Sequence, residues 1–342
     1  MSVFTRFDYN NDVVENQRVK VSSGIFSGGT GTLTSFYTSS TQTATGSFLS
    51  IYHDEPNSSE AAYNSAAEVQ FDIGFAHFFG SGSAGNLLAT KGGTNGNRET
   101  AANYRQFANV LLPPGTEKFT FTSAPSSSDT FYFIAFNRAR MREKVDPGNW
   151  ELKLGNFKFI DDSGATNNPT VNEGGRVFNI VSGSLETGTG VIKTAATSQT
   201  GGAVGSFYPD LGILLLNSTT LDSSFGFSTS YSQDTFDNNG RAFYNKIVDG
   251  AKFQVRREEE ISSTNFFCRV NNKKYNFSAN PTYFTGSDGG FVQGTFYKDP
   301  KTYITTVGLY NDDNELLAIA KLSKPILKSY SREAVIKVKL DF

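Results

Sequence analysis

The chain has 342 residues, with 31 Lys+Arg against 33 Asp+Glu and a formal net charge of -2; the length fits one large domain or two modest ones, and the balance argues against a surface made to neutralise a nucleic-acid backbone or an anionic membrane. A single cysteine, Cys268, excludes an internal disulfide and any multi-cysteine zinc site, and two histidines, His53 and His77, leave little for His-based metal or triad chemistry. The large apolar residues are mostly Phe (31) and Tyr (15), set among 33 Gly, a mixture that favours strands separated by tight turns.

Met1 to Arg6 shows no charged leader before an apolar core, and no apolar run approaches the roughly 20 residues of a membrane span. The expectation is a soluble protein made in a cytoplasm. The first 50 residues read as strands broken at Gly28-Gly29-Thr30-Gly31, and a Ser/Asn/Ala-rich loop runs from Glu55 to Ala66. In Glu68 to His77, Val69, Phe71, Ile73, Phe75 and His77 share one face while Glu68, Gln70 and Asp72 share the other, the period of a half-buried strand. A long Gly/Ser/Asn loop over Gly80 to Asn97 follows. Tyr104, Phe107, Ala108 and Leu111 then carry helical spacing, and Pro113-Pro114-Gly115 stops it.

Strands resume at Lys118 to Phe121, at Phe131 to Met141 and at Trp150 to Leu154, the last after the turn Asp146-Pro147-Gly148-Asn149. The centre holds short strands between loops such as Thr187 to Gly205, with a brief helix around Ala242 to Val248. Tyr303 to Tyr310 and Leu316 to Leu322 flank Asn311-Asp312-Asp313-Asn314 as a hairpin. The end strand, Ala334 to Phe342, puts Ile336, Val338, Leu340 and Phe342 on one face, so a core-facing Phe342 is expected to dock the C-terminus. The predicted fold is mainly β, with β-sandwich-like layers, long Gly/Ser/Asn-rich loops and one or two short helices. Strand quality at the two ends assigns residues 1–90 with 251–342 to the main sandwich domain and 91–250 to a central β-rich insertion.

Chemistry-bearing patterns are weak. Gly80-Ser81-Gly82-Ser83-Ala84-Gly85 fits a dinucleotide fingerprint but lacks the helix and the acid about 20 residues on. Thr235 to Lys246 overlays poorly on a calcium loop, because Thr235 opens it and Lys246 stands where a bidentate Glu belongs. Asp312, Asp313 and Glu315 read as solvated turn carboxylates. Cys268 lies in a strand-like run as a small hydrophobe, His77 reads as a packed or capping residue, and His53 as part of a surface turn. No carboxylate pair sits where one pKa would be raised. The chain is therefore predicted not to be an enzyme, with no catalytic, cofactor-binding or metal-ligating residue assigned. Two basic groups remain. Arg138, Arg140, Arg142 and Lys144 alternate along a strand continuation, and Lys321 to Phe342 carries six basic residues, among them Lys324, Lys328 and Arg332. Such charges often only protect strand edges; the functional reading is a docking face for an acidic protein neighbour, with Arg138, Arg140, Arg142, Lys324, Lys328 and Arg332 as the candidate interface.

Several runs resemble virion structural proteins of T-even-like, contractile-tailed phages of marine bacteria and cyanobacteria. They are Asp299 to Ser323, the ending from Lys324-Pro325-Ile326 through Val338 to Phe342, Ala67 to Phe71, Val110 to Pro114 and Asp146 to Leu152. A fainter resemblance reaches the baseplate wedge proteins, which end in an apolar strand closing on Phe. The resemblance implies a β-sandwich subunit located in the virion, paired or repeated around a sixfold tail, whose partners are other tail and baseplate proteins. It brings no catalytic residues, nucleic-acid contact or membrane insertion. The function expected is a structural subunit of a contractile tail, at the baseplate, acting through assembly. The alternatives are a receptor- or glycan-binding tail protein with exposed Tyr, Trp and Asn as sugar platforms, and then a tail-associated glycan hydrolase.

Overall fold

A computed structural model describes residues 4–38, 48–54, 67–80, 100–121, 124–164, 170–185, 193–195, 203–225, 239–285 and 288–342. The chain begins with helix α1 (Tyr9–Asp12), strands β1 (Val13–Gly24), β2 (Thr32–Leu33), β3 (Phe48–Tyr52) and β4 (Val69–His77), and helix α2 (Thr100–Leu111). Strands β5 (Phe119–Phe121), β6 (Ala124–Ser128) and β7 (Thr130–Phe136), helix α3 (Arg138–Met141), and strands β8 (Lys144–Leu154) and β9 (Phe157–Asp161) follow. Next come β10 (Thr170–Asn172), β11 (Gly175–Leu185), β12 (Lys193–Ala195), β13 (Gly205–Tyr208) and β14 (Ile213–Asn217), then helices α4 (Ser218–Phe225) and α5 (Asn239–Gly250). Strands β15 (Phe253–Val270), β16 (Thr302–Tyr310), β17 (Leu316–Lys328) and β18 (Ala334–Asp341) complete it. Strands hold 51% of the described residues and helices 18%, so the fold is mainly β, with antiparallel pairing and few helices.

The chain divides into two compact units, residues 1–20 with 260–342, and residues 21–259. This differs from the boundary drawn on the sequence. Strands β3 and β4, assigned there with the C-terminal segment, pair with each other and with β7 and so belong to the larger unit.

In the larger unit the antiparallel order is β15-β8-β9-β11-β13-β14-β7-β4-β3. Strand β7 shows why this sheet is buried on both faces. Tyr132, Ile134 and Phe136 enter one core with Phe71, Ile73 and Phe75 of β4, Leu221 of α4, and Phe243 and Ile247 of α5. Phe131 and Phe133 enter a second core with Tyr104, Ala108 and Leu111 of α2. Both faces of an alternating strand are thus covered, and β4 departs from the half-buried expectation. Gln70 is buried, its amide accepting from Ser27 N at 2.9 Å and donating to Ser27 Oγ at 2.8 Å and Glu68 O at 2.7 Å. Aromatic pairs fill the first core, with Phe71 edge-on to Phe253 at 5.3 Å, and such pairs add roughly 0.5–1.5 kcal/mol each beyond area burial. In the second core Tyr104 pins helix to sheet: its hydroxyl donates to Ser128 O at 2.6 Å and accepts from Phe119 N at 3.0 Å, while burial pushes its pKa up to about 12.

Among the described residues three helices have eight residues or more, against the one or two expected. Helix α5 is longer than the brief helix predicted there, and α4 was not predicted. Its signal is an Asn217 cap accepting from Thr219 N at 3.1 Å, with only Leu221 and Phe225 at helical spacing among hydroxyl residues.

In the smaller unit β15 pairs with β18, and Phe266 of β15 meets the ring of Phe7 at 5.6 Å. The expected hairpin forms between β16 and β17, with Asn311 N donating to Glu315 O at 3.0 Å and Glu315 N to Asn311 Oδ1 at 2.7 Å. Ile336 and Val338 are buried as the alternation requires, but Phe342 is 76% exposed. Its backbone N still donates to Ser262 O at 2.9 Å, so the terminus is held by its main chain. No helix among the described residues is long and apolar enough to cross a membrane.

Candidate assembly surface

The two basic groups fold differently from their sequence reading. Arg138, Arg140 and Arg142 do not alternate along a strand: Asn137 Oδ1 accepts from Ala139 N at 3.0 Å and caps α3, which wraps the arginines around one turn. Arg140 is ion-paired with Glu68, and Arg142 Nη1 reaches both carboxylate oxygens of Glu259 at 3.1 and 3.2 Å. Of the three, Arg138 alone is exposed with no ion pair among the described residues. Lys144 is buried and meets the equally buried Glu258 at 3.2 Å.

Lys324 and Arg332 are exposed, but Lys328 is not. Its side chain is 0% exposed, and its ammonium donates at 2.9 Å to each of Asn272 O, Asn276 Oδ1 and Ser329 O. Burial holds its pKa below the usual lysine value, with Glu333 acting in the opposite sense. Lys328 is therefore an internal pin, fastening the 272–276 segment to the end of β17, and leaves the candidate interface. Alternation could not show this, because a lysine at a strand end reads as solvated until the backbone that folds over it is known.

The structure also contains a buried carboxyl pair that sequence reasoning missed. Asp146 accepts from Ser22 Oγ at 2.8 Å and from Asn149 Nδ2, and burial raises its pKa against those hydrogen bonds, with the neighbouring Glu258 raising it further. Glu258 and Asp146 come from β15 and β8, which pair with a register shift between Val255 and Arg257. That irregularity, invisible in the sequence, sets the two acids together. Both are buried and locked by hydrogen bonds and Lys144, whereas glycoside hydrolysis needs carboxyls standing on either side of a sugar. Asp222 on α4 is a second case: desolvation pushes its pKa up to about 6 although Tyr132 Oη donates to it at 3.4 Å.

Other candidates resolve plainly. Cys268 is half-buried in β15 and burial raises its thiol pKa, with Asp12 adding to the effect. Buried His77 accepts from Phe79 N at 3.0 Å through Nδ1. Trp150, the only Trp available as a sugar platform, is 1% exposed and lies against Phe207. The glycine fingerprint beyond Gly80 lies outside the described residues, as do residues 55–66, 187–192 and 196–202 and the start of the calcium-like stretch; from Asn239 onward that stretch is helix α5. Among the described residues no group of three His, Cys, Asp or Glu side chains is placed to hold a metal ion.

The surface that stands out is the β16–β17 hairpin. It forms a two-stranded sheet of its own, and isolated hairpins are marginal in water. Yet Leu317 is 69% exposed, Tyr303 64% and Ile319 58%, with Tyr310 and Leu316 also exposed. Gly308 shapes this face, since a Cβ there would lie 2.9 Å from the Tyr310 ring and 3.2 Å from Leu316 Cδ1. Lacking one, it lets Tyr310 and Leu316 lie over the strand beside Ile319, the cross-strand partner of Gly308. Beyond it Lys321 and Lys324 are exposed without ion pairs among the described residues, and Pro325 falls where the β17 register jumps between Ile326 and Lys321. No protein-family model, curated protein or solved structure matches the chain.

Proposed function

We propose that this chain is a structural subunit of a bacteriophage contractile tail, located in the virion at the baseplate and working through protein–protein assembly. The observation that carries the reading is the hairpin of residues 302–328, whose apolar side chains face water in the single chain. Exposed contiguous apolar surface rimmed by charge marks an interaction site. The same residues lie in the stretch that resembles tail structural proteins. A sheet buried on both faces suits a part that transmits force, because close-packed interiors deform little. Partners on this reading are other tail and baseplate proteins, with several copies of the chain around a sixfold tail.

A second reading, receptor or glycan binding, draws on exposed Tyr275, Phe277 and Tyr297 in the segment between β15 and β16. Cryo-EM of the intact particle that encodes the chain separates the two. The assembly reading expects the chain traced inside the baseplate with its hairpin covered; a position at a fibre tip with the hairpin bare favours the second, and absence from particles overturns both.

A further inference from the structure

We propose that the outer edge of β17 pairs antiparallel with the same edge of a second copy of this chain, about a twofold axis at Ala318. The inference rests on reading the chain as an assembly subunit and names the contact. Strand β17 is hydrogen-bonded to β16 on one side only among the described residues, so its other edge presents open backbone groups, a template for strand addition. Edge strands that stay single are blunted by Pro, bulges and charges. Here Pro and charge begin at Lys321 and continue through Lys324 and Pro325, while Leu316-Leu317-Ala318-Ile319-Ala320 carries neither, its one irregularity being the register step at Leu317 in the pairing with β16.

The pattern of residues selects both the occupant and the register. An axis at Ala318 sets each residue opposite the one equally far on the other side. Leu317 then faces Ile319 of the second copy, Leu316 faces Ala320, and Glu315 faces Lys321, each twice by symmetry. The acidic turn of Asp312 and Asp313 comes to the Lys324 end of the other copy. Apolar meets apolar from Leu316 to Ala320, and acid meets base where Glu315 faces Lys321 and Asp312 faces Lys324, with Glu315, Lys321 and Lys324 all exposed in the single chain. Moving the axis by one residue sets Glu315 against Ile319 or Leu317 against Lys321, and the match is lost. A self-complementary strand of this kind calls for a copy of itself as the partner.

The test is sedimentation velocity on the purified full chain over about 1–100 μM, the range in which interfaces of modest size dissociate. The expected result is a reversible monomer–dimer equilibrium. Lys321→Glu and Glu315→Lys each place like charges opposite one another twice, and each raises Kd by about tenfold or more; the double variant Glu315→Lys/Lys321→Glu restores the wild-type Kd to within about threefold. Ile319→Glu, a second exposed site, leaves a monomer with unchanged circular dichroism. A wild-type chain that stays monomeric throughout, a Kd indifferent to Lys321→Glu, or a double variant no tighter than the singles overturns the proposal. A monomer found in particles refutes this contact alone, and a charge-swappable dimer absent from particles refutes only the tail assignment.

Discussion

Replacing Asp222 by Asn is expected to stabilise the larger unit at neutral pH and leave it unchanged in acid. Asp222 lies on α4 with Oδ1 at 3.4 Å from Tyr132 Oη, and its Oδ2 is buried with no hydrogen-bond partner among the described residues. Around it Tyr132 packs on Phe75 at 5.2 Å and on Phe243 at 5.0 Å, so the carboxylate loses water and gains one long hydrogen bond. Desolvation pushes its pKa from 3.8 up to about 6. The folded chain thus holds a proton that the unfolded chain releases. Its contribution is fully favourable below about pH 4 and is lost as pH rises through about 6. That separation corresponds to about 3 kcal/mol for a group wholly removed from water; for a half-buried carboxyl, screened by solvent, about 1.5 kcal/mol is the working figure. Asn keeps the shape and removes the charge. Urea unfolding followed by tryptophan fluorescence is expected to show the variant about 1.5 kcal/mol more stable at pH 8 and within about 0.5 kcal/mol of wild type at pH 4. Equal stability at pH 8, or a loss at both pH values, refutes the account of Asp222 as an ionised group held against its solvation.

Lys328→Ala strands three buried acceptors, so the unit of 1–20 with 260–342 is expected to lose about 3 kcal/mol, read as faster amide exchange in residues 272–276. Lys144→Met leaves Glu258 beside Asp146 with its cation gone; the expected loss is about 3–5 kcal/mol at pH 8, measured by thermal unfolding. That loss shrinks as pH falls, because removing the cation raises the folded pKa of the pair further and protonation relieves the repulsion. Gly250→Ala drives a Cβ to 1.9 Å from Lys153 O at the end of α5, and a clash with backbone is expected to cost about 3 kcal/mol or more in urea unfolding.

What the sequence made legible was the set of residues sharing a face, and what it hid was what covers that face. Period two located β4, β18 and the first hairpin strand within a residue of their ends, and the start of β17, because side-chain alternation is a property of the strand alone; β17 runs six residues past the expected Leu322, through Pro325 to Lys328. Helix α2 was legible for the same reason, with Tyr104, Ala108 and Leu111 all buried. Helix α3 was not, since Arg138 to Met141 has too few turns to show a period and its cap, Asn137, looks like any strand-end polar residue. The Asp146–Glu258 pair lies 112 positions apart in the chain and meets through a register shift, which no local pattern encodes.

Strands β4 and β17 carry this contrast to its consequence. In β4 the polar residues went inside: Gln70 is buried, and Asp72, its carboxyl pKa raised by burial, is hydrogen-bonded to Ser50. In β17 the apolar residues stayed outside, with Leu317 and Ile319 facing water. The first inversion is settled within the chain, because Gln70 has found partners for its amide oxygen and nitrogen, as buried polar groups must. The second finds no such settlement among the described residues. A strand run of five apolar residues that stops at a lysine, placed after a glutamate, has the composition of an interior strand and the position of an edge. Interior composition at an edge is stable when another strand completes the sheet, and the order of charges along β17 fits that strand being β17 again.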